Sequence, residues 1–202
     1  MARKPKTKPI ARGQMQPFKP EMLGLIRAKL KAHGDLRQLA LLGAAIDSCL
    51  RSGDLLQLSV ADVTDHVGGV RERLTVMQGK TGRPIAVTLT PRTRETLAAY
   101  ITASGKRSDD FLFTPASQPH ARHITTAMLR RVVKSWCEIA NLDPRQYSGH
   151  SLRRTKPCHV YQHTRNVAGV SRMLGHTSLA HTLGYLAISD NEVADLALRF
   201  DV

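Results

Sequence analysis

Six side chains in this sequence are of types that handle phosphates and protons: Arg51, Lys80, His150, Arg153, His176 and Tyr185. In HSLRRT (150–155), His150 and Arg153 stand three residues apart, so at the start of a helix they share one face. The positive end of that helix adds to an anion site. LGHTSLAHTLGYL (174–186) sets His176 in a tight glycine turn and follows it, nine residues later, with Tyr185. CLRSGDLLQL (49–58) puts Arg51 just before a short apolar turn, and QGKTGRP (78–84) holds Lys80 on a turn of its own. Taken singly, each has a plain structural reading: an arginine at a helix end is usually solvated, and a histidine in a helix-opening turn is more often a cap than a catalyst. Their weight lies in the combination.

The elements that must hold them are mostly helical. Met22, Leu23, Ile26 and Leu30 recur at helical spacing from Glu21 until His33-Gly34 ends the segment. A second helix starts near Asp35 with Leu36, Leu39, Leu42, Ile46 and Leu50 on its apolar side. Ser52 then reads as the N-cap of a short helix holding Leu55, Leu56 and Leu58. The period shifts from 3.6 towards 2 in VRERLTVMQ (70–78) and PIAVTLT (84–90), with Gly79-Lys80-Thr81-Gly82 as the turn between two antiparallel strands. Thr90-Pro91 opens a helix that runs to about Ser104. Phe111-Leu112-Phe113 reads as a short strand or an extended plug, and 124–140 as a helix whose single tryptophan, Trp136, sits in the core or as a lid over a hydrophobic seam. Ser151 begins another helix, followed by short helices near 166–174, 178–187 and 191–200. The expected fold class is α+β, mostly α: one domain with a small antiparallel sheet at about residues 60–90.

Composition agrees with a nucleic-acid partner. The 202 residues carry 30 Lys and Arg against 16 Asp and Glu, a formal net charge of +14. Such an excess favours a polyanion, with a merely solvated basic surface as the alternative. Residues 1–20 hold Arg3, Lys4, Lys6, Lys8, Arg12 and Lys19 with four prolines, which reads as a disordered basic arm that either solubilises the chain or tracks DNA. No apolar run approaches the roughly 20 residues that cross a bilayer, and MARKPKTKPI lacks the apolar middle of a secretory signal. Cys49, Cys137 and Cys158 form no disulfide pattern, which points to a reducing, cytoplasmic setting.

Together, in this order and spacing, the four motifs resemble the catalytic domain of the tyrosine recombinase (phage-type integrase) family, over about residues 20 to 200. The resemblance is to the minimal recombinases that lack a separate N-terminal DNA-clamping domain. It implies that Arg51 and Arg153 hold the non-bridging oxygens of a scissile phosphodiester with permanently charged, bidentate forks, and that His176 adds a hydrogen-bond donor. Tyr185 would be the nucleophile, forming a 3′-phosphotyrosine and freeing a 5′-hydroxyl. His150 would serve as base or orienting group and Lys80 as the acid that protonates the departing 5′-oxygen. The same resemblance implies no cofactor, since the covalent link conserves the bond energy and needs neither metal nor ATP. The implied partners are double-stranded DNA carrying specific recombination sites, three further copies of the chain in a tetramer on that DNA, and an accessory DNA-bending protein. The implied setting is the cytoplasm of a bacterial or mobile-element host, at the nucleoid, and the reaction integration, excision, inversion or resolution. A DNA-binding regulator on a recombinase scaffold, with weak or lost catalysis, is the alternative.

Several features depart from the family pattern or stay outside it. The acid three residues after the first arginine is Asp54, where the family usually has Glu, so its supporting ion pair should have a shorter reach. Gly184 directly before Tyr185 is unfavourable in a helix and would loosen the tyrosine segment. Val193, Leu196, Ala197 and Phe200 form an apolar stripe, so residues 190–202 are expected to be a helix that docks on its own domain or, as in the family, on a neighbouring subunit. The domain itself is then expected over 21–189. His181, four residues before Tyr185 on the same helix face, is either near the site or a surface residue. His159 and His163 beside Cys158 have helical spacing but no fourth ligand for a metal site.

Overall fold

The computed structural model of the protein describes residues 15–118, 120, 122–186 and 198. Helices α1 (Pro20–Ala32), α2 (Leu36–Ser48), α3 (Ser52–Leu56) and α4 (Val60–Val63) precede a two-stranded sheet of β1 (Arg73–Met77) and β2 (Pro84–Thr88). Then follow α5 (Pro91–Ser104), α6 (Thr126–Ile139), a 3₁₀ turn (Pro144–Gln146), α7 (Gly149–Thr164), α8 (Val167–Leu174) and α9 (Leu179–Leu186). The fold is the mostly helical α+β class expected from the period changes.

Helix α2 is the centre of the core. Asp35 caps its start by accepting from the Gln38 backbone N–H at 2.9 Å. From Ala40 to Ser48 every residue is buried, because α2 is packed on several sides, against α1, α5 and α7. Its one acid, Asp47, is satisfied there: its carboxylate accepts from the Thr90 N–H and hydroxyl at 2.8 and 2.7 Å and from Lys156 at 2.9 Å. One buried carboxylate thus ties α2 to the start of α5 and to α7.

The sheet pairs Arg73 with Thr88, Leu74 with Val87 and Val76 with Ile85, antiparallel. Leu74, Val76, Ile85 and Val87 face the core and their neighbours face solvent, the alternation of a half-buried hairpin. The sheet is narrower than expected from sequence, since Val60–Val63 is a helical turn closed by a Ser59 capping box. Phe111–Phe113 is the expected plug: Leu112 donates to the Leu58 carbonyl at 2.7 Å, and Leu112 and Phe113 are fully buried. Trp136 is fully buried as expected, its indole N–H donating to Gln38 Oε1 at 2.7 Å.

The arm read over residues 1–20 falls on the described residues only from Met15. There it is packed: Gln16 donates to the Gln146 carbonyl at 2.9 Å, and Phe18 is 3% exposed with its ring 4.6 Å from that of Tyr147. The Phe18 N–H donates to Thr155 Oγ1 at 3.0 Å. Residues of the expected arm from Met15 onward therefore belong to the packed domain, which the sequence reading began at 21. Apart from an exposed, helical Leu198, the helix expected over 190–202 lies outside the described residues. No helix among the described residues is long and apolar enough to cross a membrane.

Candidate active site

Four of the six singled-out side chains come from three loop–helix junctions that meet beside α2, and a fifth, Tyr185, comes from α9. The first junction follows α2, where Cys49 turns the chain through the left-handed region (φ 52°) and delivers Arg51 to the position just before α3. Arg51, not Ser52, occupies the cap position, and it makes no side-chain cap. The second junction is the start of α7. Ser148 rather than Ser151 caps it, accepting from the His150 N–H at 3.1 Å while its own N–H donates to Ser151 Oγ at 3.1 Å. Helix α7 starts in contact with α3: a Cβ on Gly149 would run into the hydroxyl of Ser52. His150 and Arg153 follow on one face of α7, as their spacing predicts. The third junction is the turn after α8, where Gly175 (φ 60°) caps the helix and His176 leads into α9.

Arg153 joins the three. It is 2% exposed, and its Nη1 donates to the Cys49 carbonyl at 2.6 Å and its Nη2 to the Leu174 carbonyl at 2.7 Å. A guanidinium has five N–H donors in a plane, so two fix the arginine and three remain for a ligand.

Tyr185, on α9, projects into this cluster. Its ring stands edge-on to His150, with centroids 5.4 Å apart, and edge-on to His176 at 5.5 Å. The Arg154 guanidinium lies 5.2 Å from its centroid, within cation–π range. The hydroxyl is buried and has no hydrogen bond of ordinary geometry among the described residues. Burial raises its pKa to about 12, against the opposing pull of Arg153 and Arg154. The phenol is therefore protonated at rest.

Both histidines are held neutral. Burial first, then Arg153, Arg154 and Arg51, lower His150 below the usual histidine value. Burial, Arg153, Arg51 and His181 lower His176 to about 4. His176 Nδ1 shares a 3.1 Å hydrogen bond with the buried hydroxyl of Thr182, which fixes its ring. The His181 ring centroid is 6.4 Å from that of His176, so His181 borders the cluster from an exposed position. The cluster is a neutral phenol and two neutral imidazoles under three arginines, an arrangement suited to an anion that meets a nucleophile.

The family model described as the phage integrase family matches residues 19–192. The chain belongs to the phage integrase family. A tyrosine recombinase of Pseudothermotoga lettingae is 30% identical over 175 residues, covering 87% of this chain and 57% of that protein. The crystal structure of XerA recombinase superposes with a TM-score of 0.73 at 19% identity, over 96% of this chain and 66% of that one. XerH site-specific recombinase, bound to its difH substrate before cleavage, superposes with a TM-score of 0.70 at 20% identity, over 93% of this chain and 55% of that one. The fold is that of the tyrosine recombinase catalytic domain. The chain spans 57% of the length of the curated relative and 66% and 55% of the two structures.

In this integrase-family domain Lys80 is the outlier of the six. It sits exposed on the β1–β2 turn and makes no polar contact among the described residues. Asp54 corrects the sequence reading. Instead of an ion pair, Asp54 Oδ1 accepts from the Gly79 N–H at 2.9 Å, so it anchors the turn that carries Lys80, and its Oδ2 is buried without a partner among the described residues. The shorter acid reaches a main-chain donor where a cation was expected. Two site residues escaped the sequence reading, Arg154 and Gln78. Arg154 is signalled only by standing next to Arg153. Gln78 directly follows β1, at the start of a turn where a glutamine reads as surface, and nothing local marks it as buried. The His159 and His163 rings lie 4.3 Å apart, but His163 Nδ1 bonds the His159 carbonyl. Among the described residues no group of three or more His, Cys, Asp or Glu side chains could hold a metal ion.

Proposed function

We propose that this chain is a site-specific DNA recombinase domain that cuts and rejoins DNA strands through a 3′-phosphotyrosyl intermediate. The observation that carries the reading is the position of Tyr185, its ring between His150 and His176 and its hydroxyl buried beside Arg153. Tyr185 Oη attacks the scissile phosphorus; the Oη–P bond forms as the P–O5′ bond breaks. The phenolic proton passes to neutral His150, and the departing 5′-oxygen takes a proton from Lys80 as DNA brings the exposed turn over the site. Arg51 and Arg153 hold the non-bridging oxygens, with His176 as a neutral donor, and such preorganised donors contribute about 10²–10³ each in rate. Attack by a 5′-hydroxyl of a partner strand reverses the step and completes exchange.

The substrate is double-stranded DNA with specific sites, bound largely through phosphates, which accords with the net charge of +14. By the family resemblance, four copies act together on it, residues 190–202 dock on their own domain or on a neighbouring subunit, and a DNA-bending protein is the accessory partner. The setting is the host cytoplasm, at the nucleoid. Covalent capture tests the reading. Wild type and Tyr185→Phe are incubated with a diverse pool of nicked duplexes, denatured in detergent, and the attached DNA is sequenced. Adducts in wild type that vanish in Tyr185→Phe are expected. Equal adducts in both would move the nucleophile elsewhere, and binding without any adduct would favour a DNA-binding regulator.

A further inference from the structure

The loops that carry the candidate residues converge on one side chain to which the proposed reaction gives no part. Gln78 follows β1 directly and is 1% exposed. Its Oε1 accepts a hydrogen bond from Arg51 Nη1; because a guanidinium only donates, the amide oxygen must be the atom that faces it. The amide nitrogen points the other way, at the turn that carries His176. A Cβ on Gly175 would lie 2.5 Å from Gln78 Nε2 and 3.1 Å from Ile85 Cδ1, so this turn is pressed on the hairpin. The backbone of Gln78 closes the third loop: its N–H donates to the Arg83 carbonyl at 3.0 Å, and its carbonyl accepts from Gly82 at 2.8 Å and Thr81 at 3.3 Å, across the turn that holds Lys80.

We infer that Gln78 is a positioning residue for strand cleavage, orienting Arg51 towards the scissile phosphate without neutralising it. The inference rests on the recombinase reading above. The choice of a neutral acceptor is the physical point. Arg51 forms no ion pair among the described residues, so its only fixed partner is an uncharged carbonyl oxygen. A carboxylate in that place would hold the guanidinium as firmly, but it would offset the positive charge the phosphate needs and compete for the same donors. An amide fixes the fork and leaves the charge for the anion. Burial strengthens the effect, since little water is present to screen either interaction.

The test compares wild type with Gln78→Glu and Gln78→Met in single-turnover adduct formation on the nicked duplexes that wild type captures. Each duplex is made twice, once with the natural phosphodiester and once with an uncharged methylphosphonate at the scissile position. Both variants are expected to slow cleavage of the phosphodiester by roughly 10–100-fold. On the methylphosphonate, which has no oxyanion for Arg51 to hold, they are expected to match wild type to within about threefold. Thermal unfolding run alongside identifies any variant that has lost its fold, and Gln78→Met, of similar shape and no charge, stands in should Gln78→Glu unfold. Equal slowing on both substrates would mean a merely structural role and overturns the inference. Wild-type rates on the phosphodiester in both variants would overturn it too, with the recombinase reading intact. Absence of any adduct from wild type would remove that reading, and this inference with it.

Discussion

The carbonyl oxygen of Cys49 accepts a 2.6 Å hydrogen bond from the guanidinium of Arg153. Cys49 stands two residues before Arg51, so one arginine of the candidate site fixes the backbone that delivers the other. The same guanidinium holds the Leu174 carbonyl, two residues before His176. The anion site is therefore assembled through main-chain acceptors that Arg153 needs in order to be buried at all, and its structural and chemical roles share one planar fork.

Arg153→Lys separates the two arginines' contributions from simple charge. An ammonium keeps the charge but cannot reach both carbonyls in one plane and still present a fork to phosphate. Leaving a buried carbonyl unpaired costs about 1–3 kcal/mol, so the variant is expected to unfold with a free energy lower by that amount. Covalent adduct formation should fall by about 10²-fold or more. Calorimetry and single-turnover cleavage read the two effects. An unchanged melting temperature would contradict the assigned bonds.

Tyr185→Phe should abolish the adduct without loss of stability. The Tyr185 hydroxyl is buried with no hydrogen bond of ordinary geometry among the described residues, so its removal relieves an unpaid desolvation. The expected change in unfolding free energy runs from neutral to a gain of about 1 kcal/mol. A loss greater than about 1 kcal/mol on denaturant unfolding would mean that the hydroxyl has a native partner.

Phe18→Ala tests where the packed domain begins. The ring is 3% exposed against Tyr147, and truncating a buried phenylalanine costs about 3–5 kcal/mol. An exposed arm would lose well under 1 kcal/mol by the same substitution. Urea unfolding distinguishes the two.

These points also mark how far the sequence could be read. Helices with strong signals were legible: Asp35 before α2 and Thr90-Pro91 before α5 cap where their types predict, and Leu74, Val76, Ile85 and Val87 alternate as a hairpin should. The shared face of His150 and Arg153 on α7 was legible from their spacing, whereas their meeting with His176 and Tyr185 was implied by the family resemblance alone. What escaped depends on distant meetings. Phe18 looks like part of a basic arm until Tyr147, far along the chain, covers it. Gln78 looks solvated until Arg51 and Gly175 close over it. Asp54 looks like half of an ion pair, yet its short side chain finds the Gly79 N–H first.

The pH response follows from the neutral histidines. His176 has a folded-state pKa of about 4 against an ordinary 6.5, with burial as the main cause. Between those two values the unfolded chain binds the proton more readily than the folded one. Stability contributed by His176 is therefore fully present above about pH 6.5, declines as pH falls through that value and is gone below about pH 4. In a histidine NMR titration of the free protein, the His176 ring signals should stay still from about pH 8 to pH 5.5, where a solvated histidine would move fully. His150 is lowered as well, so it remains an unprotonated base across neutral pH. Protonation of His150 removes the base, so cleavage rates should fall on acidification. Binding DNA places a phosphate anion among Arg51, Arg153 and both rings, which offsets the arginines and should raise both histidine values. A His176 midpoint near 6.5 in the free protein would show that the ring is solvated and the arginines distant, and the arrangement of the site described above would not stand.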